Sequence, residues 1–485
     1  MDYYENVQAY CVKSSGLEVI CLDESIIAMF DPDSVAIVGA SNNPSKLGSI
    51  ALNFLLQRGF PKERTFPVNP SEEEIMGLKC YPSVSDIPKK VDLVYILTPA
   101  ATVEKIVEDC VNKGVKCAII GSAGFAEVGK VEEQKTLVAK ARKGGLRLCG
   151  PNSQGVISTP NDFCASFSPT LLVPNTPIKG DVGLISHSGA VMGSTLTHMW
   201  DLGLGVSRCV STGNEADLET AEFLDFMAED PYTKNIVVYV EAIKNKELFH
   251  QAAEKAKMAG KAVVVLKAAW SKKGMNLTQY HTGLTPRARG EDNKLLKDSK
   301  IIPCQDLDDL YHMPMALSWQ PKPIDNRIAV IATSGAACTM AADLCEECGL
   351  EIPEFKEQVK GKLKGILPEF AQIKNPLDVT GQIILNLGMF KQCIETLCGE
   401  DYLNTILLII TSAVDDPAVL LAEDIVKVSQ EVRKFNKPLM VCWLASRILS
   451  QKAHNLLLEN KIPTYPTIRT AVKTIKEISD WNKNR

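Results

Sequence analysis

Residues 34–49 read Ser-Val-Ala-Ile-Val-Gly-Ala-Ser-Asn-Asn-Pro-Ser-Lys-Leu-Gly-Ser. Val35 to Val38 are apolar without alternation, the pattern of a strand covered on both faces of a parallel sheet. Gly39 then opens a turn of small and polar residues, and an amphipathic segment follows. A glycine turn between strand and helix start leaves backbone N–H groups free to meet an anion such as a phosphate. Only Gly39 and Gly48 are present, so the G-x-G-x-x-G dinucleotide fingerprint is missing. That argues against a nicotinamide oxidoreductase.

The same unit recurs along the chain. Short apolar runs begin at Val91, Val115, Val182, Asn235, Ala262, Ile328, Thr405 and Pro438. Each is followed by a Gly/Ser/Thr/Pro turn and a helical pattern. The alternation predicts an α/β protein built from parallel sheets. A chain of 485 residues suggests about three domains. Residues 156–179 and 313–326 are rich in Pro, Ser or Thr and read as linkers. The predicted blocks are 27–155, 180–312 and 327–485, after an N-terminal extension at 1–26.

Composition excludes some classes of function. The net charge is −5, whereas a nucleic-acid binder relying on counterion release needs a basic excess. No apolar run approaches the roughly eighteen residues of a membrane span. The acidic N-terminus lacks a signal-peptide core, so a cytoplasmic location is expected. Fifteen cysteines are scattered without a secretory signal and read as reduced and buried. Cys345-x-x-Cys348 reads as a helix end before Gly349 rather than a metal site, and no metal ligand set is expected.

Several turns carry chemistry-bearing residues. Phe66–Pro70, Leu97–Pro99 and Gly121–Phe125 fall at predicted strand C-termini, where open α/β sheets bind ligands. Cys149–Gly155 (CGPNSQG) precedes Ile185-Ser-His-Ser-Gly-Ala190, where Ser186, Ser188 and Gly189 form a strand-to-helix anion cradle. The spacing is not that of a G-x-S-x-G hydrolase elbow. His187, inside that turn, reads as a polar turn residue. Of the six histidines, His281 differs from the others, because it lies in a predicted glycine-flanked loop after a sheet strand.

The order of these motifs resembles the NDP-forming acyl-CoA synthetases, and most closely the alpha subunits of ADP-forming acetate–CoA ligase in the succinyl-CoA ligase superfamily. The likeness spans about residues 27–480. It rests on VAIVGASNNPSKLG at 35–48, FPVNP at 66–70, CGPNSQGV at 149–156 and LISHSGAVMGS at 184–194. It continues through STGNEADLETAEFLDF at 211–226, IVVYVEAI at 236–243, YHTG at 280–283 and LPEFAQIKNPLDVTG at 367–381.

The resemblance implies a Rossmann-like domain that binds coenzyme A, followed by two flavodoxin-like ligase domains. Gly39, Ser41, Lys46, Asn69 and Pro70 would meet the nucleotide end of CoA. Thr98, Pro99, Ser122, Ala123 and Gly124 would line the pantetheine and thiol. His281 matches a histidine that becomes phosphorylated, and Glu241 matches the carboxylate that holds it. Ser186, Ser188, Gly189 and Asn152 would bind the phosphoryl group. A carboxylate on one ring nitrogen fixes the tautomer and raises the basicity of the other, which suits a nucleophile.

No block resembles an ATP-grasp domain, so the resemblance also implies a beta partner, in an α2β2 assembly, holding ADP/ATP and Mg²⁺. The chain departs from the family at Tyr280, in the loop 267–274, in the segment 284–289 and at Thr411–Pro417, which lacks a double glycine. The last of these favours the acetate-ligase branch, whereas the altered surroundings of His281 motivate an alternative, a non-catalytic CoA- or acyl-CoA-binding scaffold or sensor that kept the fold.

Overall fold

The computed structural model describes residues 23–282, 289–323, 325–380 and 387–483. They divide into two compact units, the first ending at Ser299 and the second starting at Lys300, save that Asp201–Leu204 goes with the second.

The first unit holds two sheets. The strands of the first are β1 (Val35–Val38), β2 (Thr65–Val68), β5 (Leu93–Ile96), β6 (Cys117–Ile120) and β7 (Arg147–Cys149), with a small hairpin of β3 (Glu74–Ile75) and β4 (Leu78–Lys79) beside them. The sheet order is β2-β1-β5-β6-β7, all parallel. Helices α1 (Glu24–Phe30), α2 (Leu47–Gln57), α3 (Ala100–Lys113) and α4 (Val131–Lys143) belong to the same part of the chain. Every residue of β1, β5 and β6 is buried, which is why these runs read as unbroken apolar stretches. The strand order reverses between β1 and β5, and such a reversal opens a crevice at the strand C-termini.

Gly39 has φ +89°, and a Cβ there would sit 2.6 Å from the Leu97 carbonyl oxygen. Gly48 is tighter, with a Cβ falling 2.1 Å from the Gly39 oxygen. The two glycines let the start of α2 close onto the β1 turn. Gly48→Ala is therefore expected to cost about 1–3 kcal/mol, because backbone must move, which urea unfolding checks.

The second sheet contains β8 (Gly155–Ser158), β9 (Phe163–Ser166), β10 (Lys179–Ser186), β11 (Val206–Ser211), β12 (Asn235–Val240) and β13 (Ala262–Lys267). Strands run β13-β12-β10-β11-β8-β9. The first four are parallel, whereas β8 pairs antiparallel with β11 and β9 antiparallel with β8. Residues 156–179, expected as a linker, thus supply two strands of this sheet. Val156, Ile157, Phe163, Cys164 and Ala165 are all buried. Their burial outweighs the local Pro/Ser/Thr composition. Helices α5 (Gly189–Asp201), α6 (Thr220–Glu229), α7 (Lys246–Met258), α8 (Lys272–Thr282) and α9 (Arg289–Asp298) accompany the sheet.

The second unit has β14 (Ile302–Pro303), α10 (Asp309–Trp319), β15 (Ile328–Ala332), α11 (Gly335–Cys348), α12 (Glu357–Lys364), β16 (Leu377–Asp378) and α13 (Leu387–Cys398). It continues with β17 (Thr405–Ile410), α14 (Asp415–Lys434), β18 (Leu439–Trp443), α15 (Gln451–Glu459), β19 (Thr464–Tyr465) and α16 (Ile468–Lys483). Its parallel sheet runs β16-β15-β17-β18-β19, the flavodoxin-like order. The expected linker at 313–326 begins inside α10, which contains Pro314. Met313, Met315 and Leu317 are buried, and α10 packs against α16. That packing holds the helix together despite the hydrogen bond lost at proline. Cys348 ends α11 and Gly349 caps it at φ +74°, as its sequence predicts.

No helix among the described residues is long and apolar enough to cross a membrane. No group of three or more His, Cys, Asp or Glu side chains among them could hold a metal ion.

Candidate active site

Because the strands of the first sheet are parallel, their C-termini share one edge. Gly39 and Ser41 follow β1, Asn69 and Pro70 follow β2, Thr98 and Pro99 follow β5, and Ser122, Ala123 and Gly124 follow β6. The edge is knit by its own hydrogen bonds. Asn69 Nδ2 donates to the Ala40 oxygen at 2.8 Å, and Asn69 Oδ1 accepts from the Ser71 N–H at 2.9 Å. Ser122 Oγ donates to the Thr98 oxygen. Thr102 Oγ1 donates to Thr98 Oγ1 at 2.8 Å. Lys46 is exposed at the N-cap of α2, with no side-chain cap bond. It can reach an anion there.

The edge continues into the second sheet. The Asn152 N–H donates to the Ser122 oxygen at 3.0 Å, and Asn152 takes φ +62°. Gln154 lies over the first residue of α5, since a Cβ on Gly189 would come 2.3 Å from Gln154 Cγ. Gln154 Oε1 is buried without a hydrogen-bond partner. Ser186 ends β10, and its Oγ donates to the Ser188 oxygen at 2.7 Å. Ser188 Oγ accepts from the Val191 N–H at 3.3 Å and so caps α5. Asn152 thus bonds to the Ser122–Gly124 turn, and Gln154, two residues on, lies against the start of α5.

Glu241 follows β12 and is buried. Tyr239 Oη donates to Glu241 Oε1 at 3.4 Å. Burial, with Glu241 beside it, pushes the Tyr239 hydroxyl pKa up. Val240 pairs with Lys267 across β12 and β13, so Lys267 stands at the same end of the sheet. Its ammonium lies 3.5 Å from Asp292 Oδ2 and 4.7 Å from the Trp270 ring centre. Burial holds the Lys267 pKa below its ordinary value, against the opposing pull of Asp292.

His281 lies in the last turn of α8, not in a loop. Gly274 and Gly283 mark a loop in the sequence, but Ser271 Oγ accepts from the Gly274 N–H at 3.0 Å and starts a helix there. The side chains of Tyr280 and His281 lie outside the described part of the chain, as does the whole of 283–288. Helix α8 sits against the short 3₁₀ turn Ala126–Val128, just beyond Gly124.

Two site residues escape a reading of the sequence. His187 Nδ1 accepts from the Glu241 N–H at 3.2 Å, and His187 Nε2 lies 3.0 Å from Glu215 Oε1. Burial pushes the Glu215 pKa up, but the His187 ring and a Thr220 hydrogen bond outweigh it and hold the carboxyl below its usual range. The strings SHSG and GNEA contain both residues, but nothing in either string joins them. A cavity of about 540 Å³ opens beside Glu215, lined also by Arg142, Asp217, Glu219 and Lys244. Its charges are largely satisfied locally: Arg142 pairs with Asp217 at 2.5 Å and Lys244 Nζ donates to the Glu215 oxygen.

Three family models match in the order of the fold: a CoA binding domain at 33–159, a succinyl-CoA ligase like flavodoxin domain at 179–317, and a ligase-CoA domain at 328–483. The alpha subunit of acetate–CoA ligase [ADP-forming] I from Pyrococcus furiosus is 34% identical over 472 residues, covering 95% of this chain and 98% of its own. This chain belongs to the ADP-forming acetate–CoA ligase family. The alpha subunit of the second Pyrococcus furiosus ligase is 32% identical, with 90% and 93% covered. Among solved structures, the dinucleotide forming acetyl-coenzyme A synthetase 1 of Ca. Korarchaeum cryptofilum, in complex with phosphate and ADP, superposes with a TM-score of 0.86 at 30% identity. That match covers 94% of this chain and 96% of the other. In this ligase family, then, the edge of the first sheet is the edge of a CoA-binding domain, and the seryl turn before α5 belongs to a succinyl-CoA-ligase-like flavodoxin domain.

Proposed function

We propose that this chain is the CoA-binding, phosphohistidine-carrying subunit of an acetate–CoA ligase (ADP-forming), working in the cytoplasm with a separate beta subunit. Phosphate attacks the acyl-CoA thioester carbonyl, releasing CoA as thiol and forming an acyl phosphate. A ring nitrogen of His281 then takes the phosphoryl group, and the carboxylic acid leaves. Phospho-His281 passes the group to ADP on the partner's ATP-grasp domain, where Mg²⁺ is held, in an α2β2 assembly. The reverse direction makes acyl-CoA from acid, CoA and ATP.

The observation that carries this reading is the meeting of two sheet edges. The Ser122–Gly124 turn, proposed for the CoA thiol, accepts the Asn152 N–H, Gln154 lies against the first residue of α5, and the helix bearing His281 follows β13, the strand beside β12 and Glu241. A helix N-terminus stabilises a phosphoryl anion by roughly 1 kcal/mol or more when partly buried. Glu241 is proposed to orient the His281 ring.

The test supplies radiolabelled inorganic phosphate, Mg²⁺ and acetyl-CoA to the chain purified with its partner subunit. Acid-labile, base-stable label in the peptide containing His281 is expected. No label with CoA binding intact would favour the CoA-binding scaffold instead. Glu241→Gln should slow labelling by about 10²-fold, the range of a lost acid–base partner. It should leave the Kd for CoA unchanged, read by stopped labelling and titration.

A further inference from the structure

His187 touches two carboxylate-bearing residues of the candidate site, one at each ring nitrogen. We infer that His187 is a positioning residue for Glu241: its Nδ1 fixes the Glu241 backbone, while Glu215 fixes the ring. The inference rests on the orienting role proposed for Glu241.

His187 is 2% exposed. Its Nδ1 accepts from the Glu241 N–H at 3.2 Å and so carries no proton. The ring's proton is therefore on Nε2, which lies 3.0 Å from Glu215 Oε1, close enough for electrostatic attraction although the pair does not meet hydrogen-bond geometry. The assignment of that tautomer follows from the hydrogen bonds around it. His187 is tied to the same strand a second time, since its own N–H donates to the Tyr239 oxygen at 3.1 Å. The two ties flank Val240 and fix the backbone from which Glu241 projects.

Glu215 is itself held in place. The Thr220 N–H and hydroxyl both donate to Glu215 Oε1, at 2.7 and 2.6 Å. Glu215 has φ +51°, left-handed backbone that a non-glycine residue rarely adopts. A buried carboxylate on such backbone is unfavourable unless its surroundings compensate, and here the His187 ring lies against it. The geometry thus reads as a relay: Thr220 sets Glu215, Glu215 sets His187, and His187 sets Glu241.

Two substitutions separate the halves of the relay. Asparagine places a carbonyl oxygen near the Nδ1 position, so His187→Asn keeps an acceptor for Glu241 and gives up Glu215. Glutamine places an amide nitrogen near Nε2, so His187→Gln does the reverse. The readout is the rate of label transfer from radiolabelled phosphate and acetyl-CoA in the complex with the partner, beside the Kd for CoA and the Tm. H187Q is expected to label at least about tenfold slower than H187N at equal CoA affinity, because misplacing a catalytic group by an ångström is worth that much or more. Equal rates for the two variants, or a slower H187N, would overturn the relay. So would slowing that follows a fall in Tm in both variants, since His187 would then only support the fold. If the unsubstituted complex takes no label, the proposed function fails first. If it labels and Glu241→Gln does not slow it, the role of Glu241 fails, and this inference with it.

Discussion

His281→Ala is expected to abolish acyl-CoA-dependent labelling and to lower net turnover by at least about 10⁴-fold, the scale of a lost covalent nucleophile. CoA binding should survive. The residues proposed to contact CoA end the strands of the first sheet, whereas His281 belongs to α8, which leaves the second sheet after β13. Loss of labelling with CoA affinity unchanged would separate chemistry from binding. Full net turnover by the alanine variant would sink the phosphohistidine mechanism.

Asp230→Ala is the substitution expected to damage stability most. Asp230 and Arg208 are 0% and 2% exposed, and Arg208 Nε lies 3.5 Å from Asp230 Oδ2. Thr233 Oγ1 donates to the same oxygen at 2.6 Å, and Lys261 Nζ donates to the Asp230 carbonyl at 2.7 Å. The guanidinium also lies 5.4 Å from the Tyr232 ring centre and 5.8 Å from that of Phe30. Removing the carboxylate leaves a buried cation without its counter-charge, which costs about 3–5 kcal/mol. Replacing both partners, Arg208→Met with Asp230→Ala, should cost less than Asp230→Ala alone. Urea unfolding of the single and double variants forms the cycle. A single variant within about 0.5 kcal/mol of the parent would contradict the ion pair's importance.

The strands were the most legible part of the chain. The run beginning at Asn235 is β12, with all but Tyr239 buried, and the runs at Ile328 and Thr405 are β15 and β17, buried throughout. Residues covered on both faces of a sheet leave no choice but an unbroken apolar run. Helix and loop readings fared less well where distant packing intervened. Pro314 suggested a break, yet the buried methionines around it keep α10 helical. Residues 156–179 looked like a connection, yet Phe163 and its neighbours pair into a sheet edge. Gly274 suggested a loop, yet Ser271 caps a helix that carries the backbone of His281.

For the candidate site, the sequence by itself determined the turns. In a parallel sheet every strand end falls on one edge, so Gly39, Asn69, Thr98 and Ser122 had to share that edge once the strands were recognised. Only the tertiary structure decided how His187, Glu215 and Glu241 meet. His187 and Glu241 are 54 residues apart, and each sits in a turn where a polar residue is unremarkable. Nothing local distinguishes a histidine that accepts one backbone N–H and faces one carboxylate from a histidine in water. What distinguishes it is burial, because a polar group removed from water must find its partners within the protein, and those partners arrive from separate strands only when the sheet has formed.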